Sequence, residues 1–543
     1  MFGKLRRGSR ALEPIASSEE VVSEGERLEE KDIVDGPVKY LTFRVFVMGI
    51  VVSFGGMIFG FDTGQISGFL EMSDFLNRFG DKQGPNGRKA FSNARSGTIV
   101  ALLSIGALLG AIIAAPIADR MGRRFSIFLA AIIFCAGLIV QITTISHWYQ
   151  IAIGRWVAGF GVGALSVLVP MYQSETAPKQ VRGALVSCYQ LFITLGILTA
   201  YCINFGTHNI ENASSWRITM GIAFISPAII AFGILFLPES PRWEVRKGNL
   251  TRARTAISKS YGVPENHRVV EEEVWEIRDK LAAETQGTKM EKLKDIVKGP
   301  RMLYRLVLGM SMQALQQLSG VNFFFYYGTS IFSSVGLTNP YATSIILGGV
   351  NFGSSFLGLY IVEHFGRRKC LIYGALWMFM CFMIFASVGH FALDMTTPSN
   401  TPGSGIAMIV FACFFIAAFA MTWGPITWAV VGELYPSRSR AICMGVATAS
   451  NWTSNFLIAF FTPFVTARID FAYGYVFAGF CAAAAVVVWC FLCESQGRSL
   501  EEIDTMYVER VVPWKSAKWQ APRPVVVRGE RKAEEGGLKD GEL

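Results

Sequence analysis

A set of amide-bearing side chains, Gln190, Gln316, Gln317, Asn322, Asn351, Asn451 and Asn455, lies inside long hydrophobic runs. An amide donates and accepts hydrogen bonds at once, which is what a polyhydroxylated solute offers and asks for. Polar groups at membrane depth are costly, so their presence needs a reason. Gln317 and Asn322 stand five residues apart, on one broad side of a helix. Trp428 and Trp452 lie in the same kind of run and offer flat apolar surface for the C–H face of a ring. The competing use of such amides is glue between helices, and a core tryptophan needs no ligand at all.

Two charges share this setting. Asp62 falls near the end of the first apolar run, among Gly55, Gly56, Gly60, Gly64 and Gly68, and Arg155 falls in the fourth. A lone intramembrane carboxylate costs on the order of a few kcal/mol, and pairing with Arg155 offsets part of that. A carboxylate that alternately pairs and binds a proton can couple proton entry to solute entry. One proton falling through about 100 mV contributes roughly 2.3 kcal/mol, enough for more than tenfold accumulation. A structural ion pair is the plainer alternative.

The elements that must position these groups are membrane helices. The chain has 543 residues, 52% hydrophobic and only 17% charged, with mean hydropathy +0.38. Soluble proteins carry about 25% charged residues. A bilayer core about 30 Å thick needs roughly 20 apolar residues in a helix. Twelve stretches qualify, near 43–66, 96–118, 125–145, 148–172, 184–206 and 216–237, then 304–327, 341–363, 369–390, 404–431, 442–466 and 470–493. The net charge of +9 does not indicate nucleic acid, because the basic residues gather beside apolar runs, as membrane topology requires. The ten cysteines lie in or beside these runs and read as small hydrophobes, not as a disulfide or zinc framework.

Lys and Arg concentrate in alternate short loops, at Arg120, Arg123 and Arg124, at Lys179 and Arg182, at Arg367, Arg368 and Lys369, and at Arg438 and Arg440. Those loops are assigned to the cytoplasm, with both termini. The loop at 70–95, with Arg78, Lys82, Arg88, Lys89 and Arg95, runs against this majority. Asn212-Ala-Ser214 then lies outside and is a candidate glycan acceptor. The chain divides into a cytoplasmic tail (1–42), a six-helix bundle (43–237), a charged linker with short helices (238–303), a second six-helix bundle (304–493) and a flexible, cytoplasmic C-terminal tail (494–543).

The halves echo each other. Asp119-Arg120-Met-Gly-Arg123-Arg124 returns roughly 250 residues later as Glu363-His-Phe-Gly-Arg367-Arg368. Glu175 with Arg182 returns as Glu433 with Arg440, and Pro238-Glu239-Ser-Pro-Arg242 returns more loosely as Glu494-Ser-Gln-Gly-Arg498. Each motif sits at the inner end of corresponding helices. Two similar bundles can rock about a central site, with these charges pairing across the bundles when the inside is shut.

On these motifs the chain resembles the sugar porter family of the major facilitator superfamily, across about residues 40–505. The resemblance rests on Asp119–Arg124, Gly154-Arg155, Pro238–Arg242, Gln316-Gln317-Leu-Ser-Gly-Val-Asn322, and Gly424-Pro-Ile-Thr-Trp428 leading to Glu433. Phe59–Gly68, Glu501–Asp504 and Pro513–Ser516 are similar to fungal high-affinity glucose transporters. Ala115 departs from the glycine that usually opens the first loop motif.

The resemblance implies an all-α fold of two six-helix pseudo-repeats and hexose transport across the plasma membrane by alternating access. Proton symport is the favoured mechanism, with facilitated diffusion and a glucose sensor on the same scaffold as alternatives. It implies hexose contacts at Gln190, Gln316, Gln317, Asn322, Asn351, Trp428, Asn451, Trp452 and Asn455. It implies proton coupling at Asp62 and Arg155. The partners are hexose, a proton and the lipid bilayer, with no cofactor or metal. An enzyme is disfavoured by five scattered histidines and the absence of HExxH or a Walker loop. Gly159-x-Gly161-x-x-Ala164 grazes a dinucleotide fingerprint but follows no strand.

Overall fold

The computed structural model describes residues 32–519 apart from 41, 84–88, 179, 286–295, 297, 335–338, 395–399, 437–438 and 499. Ten stretches among them are long and apolar enough to cross a bilayer. One of these, Ile442–Phe491, is 50 residues long and holds parts of two helices, Arg440–Ile469 and Tyr473–Phe491, joined at Asp470–Ala472. The seventh span is interrupted, as Met302–Leu318 and Val321–Ser334, so that only the two pieces together cross a bilayer. Counted this way the chain has twelve spans, six on each side of the polar linker.

The interruption has a local cause. Gly320 has φ +91°, a backbone angle that L side chains rarely adopt. The Ser319 hydroxyl donates to Gln316 O at 2.7 Å and Gly320 N–H to Gln317 O at 3.1 Å, closing the first helix. A Cβ on Gly320 would also collide with Phe477. The continuous span expected at 304–327 is thus two helices that run on to Ser334, with Gln316 and Gln317 before the break and Asn322 after it. The tenth span breaks similarly at Thr422, between Pro402–Met421 and Trp423–Glu433.

Small residues set the helix approaches. A Cβ on Gly56, Gly60 or Gly64 in the first span (Phe43–Phe69) would strike the backbone of Tyr189, Ile193 or Ile197 in the fifth (Arg182–Thr207). One glycine per turn therefore lets the two backbones touch, the geometry by which membrane helices pack without a hydrophobic driving force. Gly159 and Gly163 of the fourth span (Trp148–Thr176) meet the backbone of Leu103 and Ala107 in the second (Asn93–Met121) in the same way. That is the packing use of the glycine-rich run that grazed a dinucleotide fingerprint.

The loop at 70–95 is a folded cap. Helix Ser73–Phe79 covers Trp216 with Phe75 and Phe79, and the Trp216 indole N–H donates to Asp74 at 3.0 Å; an antiparallel hairpin, Lys82–Gln83 with Lys89–Ala90, follows the helix and ties back to it through Lys89, which donates to Asn77 O at 2.9 Å. Arg78 pairs with Asp74 at 2.7 Å, and Arg95 donates to Phe79 O at 2.7 Å while stacking on Trp148. These described arginines are consumed inside the cap.

The linker forms helices Pro241–Arg246, Leu250–Tyr261 and Arg268–Thr285. Residues 32–40 lie along it: Val34 bridges His267, Asp35 pairs with Arg268 at 2.7 Å, and Tyr40 meets the Tyr261 ring edge-on. The expectation of a flexible tail from 494 onward fails for its first part. Helix Leu500–Val508 buries Ile503, Met506 and Tyr507 against the second half, and Asp504 pairs at 2.5 Å with Arg305, itself 1% exposed. Ser516, in a short helix at Pro513–Lys518, accepts the Glu494 N–H at 2.9 Å. The remaining tail residues, 520–543, lie outside the described residues.

Candidate solute site and its charge networks

At the break in the seventh span, amides bond into one network. Gln316 Nε2 donates to Trp423 O and Gly424 O at 2.9 and 3.0 Å, tying the seventh span to the tenth. Asn451 Nδ2, on the eleventh span, donates to Gln316 Oε1 at 2.8 Å and to Gln313 Oε1 at 2.7 Å. Gln317 Nε2 donates to Asn451 Oδ1 at 3.0 Å, and Gln317 Oε1 accepts from Asn322 and, at 3.3 Å, from Asn455. Asn455 Oδ1 accepts from Tyr326 at 3.0 Å and from Ser104 of the first half at 2.6 Å. Gln190, also from the first half, brings its Nε2 to within 3.8 Å of where a side chain on Gly424 would begin. Amides from both halves therefore converge. Gln317 alone of the bonded amides is only part-buried.

Other expected residues stand differently. Asn351 is buried, but its recorded bond is through its carbonyl, from Ser355, and no described bond carries its side chain to the network. Trp428 is part-buried on the helix that begins at Trp423, with no described hydrogen bond to the amides. Trp452 is 3% exposed and meets Phe59 edge-on at 5.4 Å, so it packs into the apolar core of the opposite half. Sequence reasoning missed Gln313, Tyr326 and Ser104. Gln313 had a signal, its spacing of three and four residues from Gln316 and Gln317, which places all three on one helix face. The other two join only through tertiary contact.

Asp62 and Arg155 meet as expected from their types: Arg155 Nη1 lies 3.2 Å from Asp62 Oδ2, with side chains 1% and 0% exposed. Gln65 Nε2 donates to Asp62 Oδ1 at 2.8 Å. Among the described residues the three guanidinium nitrogens of Arg155 have no hydrogen-bond partner, so the pair is held there by charge. Removing one member of such a buried pair is costly, on the order of 3–5 kcal/mol.

The repeated charged motifs form two matching networks. In the first half, Glu239 accepts the backbone N–H groups of Arg123 and Arg124 at the start of the third span, at 2.9 and 3.2 Å. In the second, Glu494 accepts those of Arg367 and Arg368 at the start of the ninth, at 2.9 and 3.2 Å. A carboxylate at a helix N-terminus satisfies orphan donors and complements the dipole. Arg123 pairs with Glu175 at 2.9 Å and Arg367 with Glu433 at 2.6 Å. Arg124 donates to Leu235 O and Arg368 to Trp489 O. Burial pushes the Glu239 carboxyl above its ordinary range, against the pull of those N–H groups and of Arg123.

The expected pairing across the bundles does not occur among the described residues: each of these contacts stays within its own half. Asp119 pairs with Arg246 of the linker at 2.6 Å, and Arg182 reaches Glu273 of the linker at 3.8 Å. Arg440 donates to Tyr435 O, Arg242 is part-buried beside the first-half network, and Arg120 is exposed. The side chain of Glu363 lies outside the described residues.

Among the described residues, the bonds that join the halves lie at the amide level or beyond it, away from the charge networks. Ser67 bonds Thr329, which bonds Ser344, at 3.0 and 3.2 Å. Tyr341 donates to Gly68 O at 3.1 Å and stacks on His208, with ring centroids 4.4 Å apart, and Tyr201 donates to Phe325 O at 3.2 Å. Among the described residues these bonds lie on the far side of the amides from the two charge networks, and those networks share no bond with each other. This is why the arginines find partners at home.

Geometry and comparison agree. A family model described as "Sugar (and other) transporter" matches residues 48–507. A low-affinity glucose transporter of Kluyveromyces lactis is 44% identical over 507 residues, covering 93% of this chain and 89% of that protein. The high-affinity hexose transporter HXT6 of Saccharomyces cerevisiae is 43% identical over 514 residues, covering 93% and 90%. The xylose transporter XylE from E. coli, in a partially occluded inward-open conformation, superposes with a TM-score of 0.69 at 25% identity, covering 84% of this chain and all of that one. The major facilitator proton:xylose symporter XylE bound to 6-bromo-6-deoxy-D-glucose matches at TM-score 0.69 and 27% identity, covering 86% of this chain and 99% of that one. The protein is a membrane transporter of the major facilitator fold, not an enzyme. It belongs to the sugar transporter family.

Proposed function

We propose that this protein carries a hexose across the plasma membrane by alternating access, with proton symport as the coupling mode and both termini in the cytoplasm. The observation that carries the reading is the bonded amide network at the broken seventh span, fed from both halves. Such a network offers donors and acceptors to sugar hydroxyls, and it rejects solutes that would leave its groups unpaired, at about 1–3 kcal/mol each. Gln190, Gln316, Gln317, Asn322, Asn451 and Asn455 contact the sugar, Asn351 and Trp428 border it, and Trp452 backs it by packing. The names of the relatives, glucose and hexose transporters, support the substrate class. The neighbouring structure described as a proton:xylose symporter supports coupling through Asp62 and Arg155. The Arg123–Glu175 and Arg367–Glu433 networks act as the cytoplasmic gate, and exposed Asn212 accepts a glycan.

The test is uptake of labelled hexose by hexose-transport-null cells expressing the chain, with a competition panel of sugars. Saturable uptake is expected, and its absence with protein at the surface refutes carriage and leaves a sensor. Addition of sugar to energy-starved cells is expected to alkalinise the medium. Uptake without alkalinisation refutes symport and leaves facilitated diffusion.

A further inference from the structure

The amide network has a direction. Gln316 Nε2 donates to two backbone carbonyls, Trp423 O and Gly424 O, which can only accept. That fixes the Gln316 amide, so its Oε1 accepts from Asn451. Asn451 Oδ1 then accepts from Gln317, and Gln317 Oε1 accepts from Asn322 and Asn455. Each amide hands the same sense to the next, and the chain ends on Asn455 Oδ1, an acceptor that must find donors. It takes two hydroxyls, Tyr326 at 3.0 Å and Ser104 at 2.6 Å, which fill both lone pairs of the oxygen.

The two donors differ in where they come from. Tyr326 sits on the second helix of the seventh span, in the same half as Asn455. Ser104 sits on the second span, in the other half. Asn455, Tyr326 and Ser104 are each 1% exposed, so water does not compete for the oxygen in this arrangement. Buried helix serines often return the hydroxyl to the carbonyl four residues earlier, as Ser53, Ser126 and Ser355 do. The Ser104 hydroxyl is instead spent between the halves. Gly97 lies seven residues before Ser104, on the same helix face. A Cβ on Gly97 would strike Phe460 O, so the second and eleventh spans touch backbone to backbone along this face.

We propose that Ser104 is a positioning residue of the solute site: its hydroxyl holds the Asn455 amide oxygen while the halves touch, and parting of the halves at this level frees that oxygen for a solute hydroxyl. The inference rests on the alternating-access reading above and deepens it. Ser104 and the solute compete for one acceptor, so a contact between the halves is traded for a contact with the solute. Loss of the Ser104 hydroxyl removes a bond made only with the halves together. The parted arrangement, with Asn455 wet, is untouched. The balance therefore shifts toward opening by about fivefold, the worth of one net hydrogen bond.

The measurement is binding of a labelled, membrane-impermeant hexose ether, too bulky to be enclosed, to right-side-out vesicles carrying the full chain. Such a ligand reports the arrangement open on the face away from the charge networks, which the proposed topology puts outside. Ser104→Ala is expected to lower its Kd by up to about fivefold. Ser104→Thr keeps the hydroxyl and is expected to hold Kd within about twofold of the parent. Ser104→Cys brings a weak donor of similar size. It is expected to lower Kd by less than Ser104→Ala does, and it serves should that variant not reach the membrane. A serine with a structural role alone would change the number of binding sites and leave Kd where it was. A Kd unmoved by Ser104→Ala, or by Ser104→Cys in its place, overturns the assignment, as does an equal fall in Ser104→Thr. Failure of the unmodified protein to bind the ether refutes the carrier reading itself, and this inference with it.

Discussion

Replacing Asp62 by Asn separates two roles that the ion pair combines. Asn keeps the size of the side chain and can still bond Gln65, so the local helix is spared. What is lost is the one counter-charge that pairs with Arg155 among the described residues; Arg155 is 1% exposed and none of its guanidinium nitrogens has a hydrogen-bond partner among them. An uncompensated buried cation of this kind costs about 3–5 kcal/mol. Detergent-purified Asp62→Asn is expected to unfold several degrees below the parent. Asp62→Asn with Arg155→Gln removes both charges and is expected to recover most of the loss, because a buried pair replaced by neutral groups is often close to neutral in stability. Proton coupling obeys a different rule, since it needs the carboxylate itself. Sugar-induced alkalinisation is expected to vanish in the single and the double variant alike. The assays are a thermal unfolding curve followed by tryptophan fluorescence and a pH electrode on a weakly buffered cell suspension. If Asp62→Asn unfolds at the parental temperature, the pair does not hold the charge as argued. If the double variant still alkalinises the medium, the coupling group lies elsewhere.

Three further outcomes are expected. Gln317→Ala removes the bonds to Asn322, Asn451 and Asn455 and should raise KM for hexose by about ten- to a hundredfold, at about 1–3 kcal/mol for unpaired polar groups, with surface protein unchanged; uptake kinetics against a surface-labelling control check it. Gly320→Ala forces a side chain into a φ of +91° and against Phe477, so less protein should reach the surface and its melting temperature should fall, as read by fluorescence-detected size exclusion on heating. Asp504→Asn leaves Arg305 without its carboxylate. Because the Asp504 side chain is 42% exposed, the cost should be only about 1 kcal/mol, seen as a small melting shift.

Much of the candidate site was legible because membranes make polar residues conspicuous. Gln190, Gln316, Gln317, Asn322, Asn451 and Asn455 stood out against their apolar runs, and Gln313 stood on the same helix face for the same reason. Tyr326 and Ser104 carried no such mark. A tyrosine beside Phe323, Phe324 and Phe325 reads as packing until the fold brings its hydroxyl to Asn455. Asn351 illustrates the reverse: its type and depth matched the others, yet no described bond brings its side chain to the network. The arginines of the loop at 70–95 ran against the charge pattern of the other loops, and their partners Asp74 and Trp148 are visible only in space.

Hydropathy and the repeated charged motifs were enough to determine a twelve-span, duplicated membrane protein, since the bilayer demands apolar length and the loops betray the repeat. The break at Gly320, the docking of Asp504 on Arg305 and the bonds that tie one half to the other were decided by tertiary structure. A glycine's φ, a counter-charge about 200 residues away and the pairing of one half with the other depend on what approaches each residue in space. That information is held by no single stretch of chain.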